Sequence, residues 1–141
     1  MTKSEDLGKE VIGIEDTQAH FGVMDDFSLE EQTTMLRAAL KRTPSQKERD
    51  FELLMNAYLA GDSDKVAALD EKITGGMLPP ALWAKMRSKL LDGRNIVMAQ
   101  RIAEQAQNRA VFAAVGASHL AGKGGLIARL KAAGFKLSPI N

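Results

Sequence analysis

Two short, continuous apolar runs, Val11-Ile12-Gly13-Ile14 and Val111-Phe112-Ala113-Ala114-Val115, lie near opposite ends of the chain and constrain its fold more than any other feature. Each is too short for a helix and lacks the polar alternation of a half-solvated strand, which is the pattern of a strand buried on both faces. Everything between them reads as helix. Ser28-Leu29-Glu30-Glu31 has the form of a capping box and predicts a helix from about 29 to 41. Thr43-Pro44-Ser45-Gln46 repeats the start signal, with Phe51, Leu54 and Tyr58 at helical spacing and Gly61 at the end. Asp62 caps a partner helix carrying Val66, Leu69 and Ile73, so the two form a hairpin that stops at Thr74-Gly75-Gly76. Pro79-Pro80 opens a helix with Leu82, Trp83, Met86 and Leu90, interrupted or bent at Asp92-Gly93, and Ile96, Ala99, Ala103 and Ala106 mark the next. After the second apolar run, Gly122-Lys123-Gly124-Gly125 predicts a turn, Leu126, Ile127 and Leu130 a helix, Gly134 its C-cap, and Phe135-Lys136-Leu137 a short last strand.

The expected class is therefore α/β: a short, mostly parallel sheet with a helical lobe over about 29–108 and a strand-and-turn segment over about 110–137. Three short strands make a thin sheet. Strands that read as buried on both faces require neighbours, so an incomplete domain is expected.

Nineteen basic and eighteen acidic residues nearly cancel, and aromatics make up 5% of the chain. Neither a broad cationic surface for nucleic acid or anionic lipid nor a base-stacking platform is expected. The absence of cysteine excludes disulfides, zinc ribbons and thiol nucleophiles. No apolar run approaches the ~18 residues of a membrane span, and the first residues lack the apolar stretch of a signal peptide.

Functional groups in open α/β sheets gather past the carboxyl ends of parallel strands. Glu15 directly follows the first run, and His119 lies just past the second, behind Gly116. If the runs were adjacent and parallel, the carboxylate and imidazole would meet, and such a pair either ligates a metal or works as an acid-base couple. Each residue also has an ordinary reading: a Glu there is more often solvated or capping, and Arg94 and Asn95 at a helix start suit capping as well. The 122–125 turn lacks phosphate-loop spacing, although the helix start after it could hold an anion. Ser118 lacks the surroundings of a hydrolase nucleophile. His20 reads as an ordinary histidine.

Four segments in order, from Gly8 through the Gly13-Ile14-Glu15 strand end to Thr17, then Phe27 to Gln32, Arg94-Asn95 with Met98, Ala99 and Ile102, and Val115-Gly116-Ala117-Ser118-His119 with its trailing glycines to Leu126, resemble the TraB/GumN family, to which the Tiki proteases are related. The resemblance runs nearly end to end and corresponds to the C-terminal portion. It implies a metal-dependent, protease-like hydrolase site built from two G-x-x-H motifs and a glutamate. Carried over by position, Glu15 is that glutamate, His119 the histidine of the second motif, and Arg94 with Asn95 the paired polar residues beside the site. Glu15 and His119 are then the expected ligands of manganese, cobalt or zinc. Only one G-x-x-H is present in this sequence, so a missing N-terminal half or a homo-oligomer is the expected complement. The resemblance further implies a peptide or protein substrate and a periplasmic or secreted setting. Its alternative is a non-catalytic binding or regulatory module, in which the lobe around Phe51, Tyr58 and Trp83 takes a peptide or protein partner.

Overall fold

In a computed structural model, residues 6–140 are described, with the side chains of Ala19 and His20 excepted. The architecture is helical. A short helix α1 (Thr17–Phe21) precedes α2 (Leu29–Leu40), α3 (Pro44–Leu59), α4 (Ser63–Ile73), α5 (Pro80–Arg87), α6 (Gly93–Ala106) and α7 (Leu126–Ala132). Local chemistry places their starts. Ser28 accepts the Glu31 N–H on Oγ at 3.2 Å while the Glu31 carboxylate accepts the Ser28 N–H at 2.8 Å, so two otherwise orphaned donors are satisfied reciprocally. Thr43 and Gln46 repeat the arrangement at α3, and Asp62 accepts the Lys65 N–H at α4. Gly61 and Gly134, each at positive φ, end α3 and α7.

The α/β expectation is overturned. Among the described residues there is no strand, and the residues read as strands, 11–14, 111–115 and 135–137, are irregular. They are not buried on both faces either: Val11, Ile12 and Val111 are exposed, and Phe112 is 94% exposed. An apolar run permits a strand but does not make one, because the ladder bonds come from a neighbouring strand and not from the run itself.

The two runs nevertheless lie on one surface. Arg109 donates to the Glu10 carboxylate at 2.5 Å where both begin, and at their far ends Ile14 and Val115 pack against Met98, Ala99 and Leu126. That cluster joins α6 to α7. Of the stripe expected on α6, Ala99 is buried but Ile96 is 44% exposed, and Asn95 and Met98 are buried beside Ala99 instead.

Between α5 and α6 the chain does not break at Asp92-Gly93. Residues Ser88–Asp92 form a π-helical turn, closed by the Gly93 N–H donating to the Ser88 carbonyl. The axis therefore runs on from α5 into α6 with one surplus residue in the turn. The hairpin of α3 and α4 packs through α4 onto a 3₁₀ turn, Ala117–His119, which carries the G-x-x-H histidine. No helix among the described residues is long and apolar enough to cross a membrane.

Candidate functional site

Glu15 and His119 come together through consecutive residues of α6. The Arg94 guanidinium donates from Nε and Nη2 to the two Glu15 carboxylate oxygens, each at 2.6 Å, and from Nη1 to the Leu90 carbonyl at 3.2 Å. The side chains of this two-pronged pair are only 17% and 13% exposed. Planar fork-to-carboxylate contacts of this kind fix orientation as well as charge. Glu15 also holds the Arg94 guanidinium above its ordinary range, chiefly by accepting those hydrogen bonds.

Asn95, 2% exposed, sits one step further along the helix. Its Nδ2 donates to the Gly124 carbonyl at 2.9 Å, which turns Oδ1 toward the His119 ring, 2.7 Å from Nδ1. An amide oxygen only accepts, so Nδ1 must carry the proton and donate. The lone pair of the neutral ring then resides on Nε2. Arg129 donates from Nε to the same Gly124 carbonyl at 2.9 Å, so α7 and α6 fix one peptide from two directions.

His119 is itself buried, and its pKa lies below the ordinary value of 6.5, first because burial disfavours the charged ring, then because of the Arg94 charge, with Glu15 acting in the opposite sense. The sign of the pH dependence follows. In the unfolded chain the ring titrates near 6.5, so as pH falls below that value the unfolded state takes up a proton that the native state refuses. The contribution is intact above 6.5 and is lost as pH falls through it toward the lower native value. The urea midpoint is expected to drop between about pH 7.5 and about pH 5.5, and His119→Gln to flatten that slope. An unchanged slope in the variant would show that His119 ionises as in an open chain.

Beside the 3₁₀ turn runs a narrow crevice walled by Trp83, Arg87, Asp92, Ser118 and Gly122. Trp83 donates from Nε1 to Glu71 at 2.7 Å, and Arg87 donates to the other Glu71 oxygen at 2.5 Å. Trp83 is thus tied into the wall, whereas Phe51 and Tyr58 of α3 are 62% and 61% exposed. The glycine turn is closed upon itself: Gly125 donates to the Gly122 carbonyl at 3.1 Å and Ile127 to Leu120 at 3.2 Å, so the Ile127 N–H is not left for an anion.

The expected Glu15 and His119 are therefore each engaged by α6, through the adjacent residues Arg94 and Asn95. Glu15 faces Arg94, and among the described residues no three His, Cys, Asp or Glu side chains form a metal-holding group. The His20 side chain lies outside the described set. Arg94 and Asn95 do not cap a helix, since the π turn carries the backbone through without a side-chain cap. Asn95 is the residue whose part was least legible in the sequence. Its signal was its register, because positions 95, 98, 99 and 102 share one helical face and only the first is polar.

The model of the TraB/PrgY/gumN family matches residues 1–139, nearly the whole chain. No curated protein and no solved structure matches it significantly.

Proposed function

We propose, starting from the fact that this chain belongs to the TraB/PrgY/gumN family, that the Glu15, Arg94, Asn95 and His119 constellation is a hydrolase-type proton-transfer site acting on peptide bonds. The observation that carries the reading is the buried Asn95–His119 hydrogen bond, which gives a neutral imidazole a defined tautomer. A neutral ring with its lone pair on Nε2 is the form a general base needs, and the same form ligates a metal. Burial chiefly disfavours the charged His119 ring; within the Glu15–Arg94 pair the cation adds to that effect and the carboxylate opposes it.

A divalent manganese, cobalt or zinc ion would find one imidazole donor in His119. A catalytic metal generally takes about three protein ligands. Because both Glu15 oxygens already accept from Arg94, the described donors do not complete such a shell. A metal would require further donors beyond these, and no step is derived through one.

The test is hydrolysis of a quenched-fluorescence peptide library by the wild-type chain and His119→Ala, with and without each metal. Loss of a positioned general base costs about 10²–10⁴-fold in rate, so His119→Ala is expected to fall to background. Equal turnover by the two chains would remove His119 from the chemistry.

A second reading rests on α2 and α3, which leave Leu36, Leu40, Phe51, Tyr58 and Leu59 between 61% and 74% exposed. A face of that kind suits capture of a protein or peptide partner without chemistry. It predicts that partner binding is lost in Phe51→Ser and retained in His119→Ala.

A further inference from the structure

Which nitrogen of the His119 ring is basic is decided outside the ring. The two ends of an asparagine amide are alike in shape, one donating and the other accepting, so what Asn95 offers the imidazole depends on what its far end meets. That end meets the Gly124 carbonyl, which can only accept, and it donates there from Nδ2 at 2.9 Å. Oδ1 is left for the ring, 2.7 Å from Nδ1, and the proton has to stand on Nδ1. Were the Gly124 carbonyl turned away, the amide would be free to rotate end for end. It would then present Nδ2 to the ring, Nδ1 would accept, and the proton would move to Nε2.

The turn does little by itself to prevent this. The peptide that carries the Gly124 carbonyl has glycine on both sides, and Gly122 just before it stands at a φ of 79°. Glycine backbone rotates with the least steric resistance. Within the turn that peptide is held by the Gly125 N–H donating to the Gly122 carbonyl at 3.1 Å. The other holds come from helices. A carbonyl has two lone pairs, and here Asn95 of α6 takes one and Arg129 of α7 the other, through Nε at 2.9 Å. The Arg129 backbone N–H also donates to the Gly125 carbonyl at 3.1 Å, so one residue grips two consecutive carbonyls.

We propose that Arg129 is a positioning residue for His119: by anchoring the Gly124 carbonyl it fixes the direction of the Asn95 amide, and through it the Nδ1–H tautomer that leaves Nε2 basic. It touches neither the ring nor a reacting atom. Its consequence for proton transfer rests on the hydrolytic reading, whereas the tautomer itself does not.

Imidazole nitrogen NMR of the ¹⁵N-labelled full chain, held where the ring is neutral, reads the tautomer without turnover. The chain has two histidines, and the signals lost in His119→Gln assign the ring. Wild type is expected to show a protonated Nδ1 and a bare Nε2. Arg129→Met removes the donor at similar length and should raise the Nε2–H fraction several-fold. Arg129→Gln returns an N–H at the same number of bonds from Cα as the arginine Nε, and should restore the wild-type pattern. If Arg129→Met loses its dispersed spectrum, Arg129→Lys takes its place, with its donor one bond too far out and a smaller shift in the same direction. A wild-type tautomer in the folded methionine or lysine variant, or the same shift in the glutamine variant, would overturn the proposal. With a cleavable peptide in hand, Arg129→Met should lower kcat with KM unchanged. A tautomer shift without any effect on turnover would tell against the hydrolytic reading and leave the positioning role standing.

Discussion

Asn95→Ala is expected to destabilise the chain by about 3 kcal/mol, because truncation strands a buried imidazole N–H and weakens the anchoring of the Gly124 carbonyl, each unmade bond costing roughly 1–3 kcal/mol, and leaves a void besides. For a domain of this size that is a loss of about 10 °C in melting temperature. Asn95→Asp separates the two bonds. An aspartate still accepts from His119 Nδ1 but cannot donate to the Gly124 carbonyl, and its charge raises the imidazole pKa, opposing the effects of burial and of Arg94. The aspartate variant should therefore lose less stability at low pH than wild type does. Thermal melts across the pH range decide the matter, and an alanine variant that melts with wild type would dissolve the tautomer argument.

Gly125→Ala should be as damaging, by about 3 kcal/mol or more, although glycine is not required there by its backbone angles of φ −76° and ψ 165°. The constraint is space. A methyl group at 125 would stand 2.6 Å from the Ala121 carbonyl carbon and closer still to the Ala121 and Leu120 oxygens. These are backbone atoms, and the Leu120 carbonyl is fixed by accepting from Ile127, so it cannot swing aside. Gly124 supplies the control. A methyl group there meets Asp92 Oδ1 at 2.7 Å, the end of a side chain 42% exposed and able to move. Denaturation of the two alanine variants should separate them clearly, with Gly124→Ala within about 1 kcal/mol of wild type. Coincident unfolding curves would show that the turn after His119 is loose.

The helices were legible because their signals are local. Ser28 with Glu31, Thr43 with Gln46, and Asp62 each satisfy N–H groups within three residues, so no distant partner is needed to fix where α2, α3 and α4 begin. The strand expectation, which the described residues do not bear out, rested on no such local signal. Residues 11–14 and 111–115 have the right composition, but strand formation depends on a neighbour that a linear reading has to assume. At the site, Glu15, Arg94 and His119 were singled out as candidates, and the structure places them in one cluster. What the reading missed was how they connect. Of the stripe read from Ile96, Ala99, Ala103 and Ala106, Ala99 is buried but Ile96 is 44% exposed, and Asn95 and Met98 are buried instead. With the phase taken from Met98 and Ala99, Asn95 would have stood out as the lone amide on an apolar stripe.

That turn sets the azimuth of everything downstream on the same rod. An α-helix advances about 100° per residue, so accommodating one extra residue rotates the whole of α6 by roughly that angle relative to an uninterrupted continuation of α5. Arg94 and Asn95, themselves about 100° apart around the axis, thereby point in two directions at once, one toward the carboxylate arriving from the front of the chain and the other toward the ring arriving from its back. The alignment of the cluster is thus a matter of clocking, governed by a turn that joins the groups it aims through the Leu90 carbonyl, which accepts from Arg94.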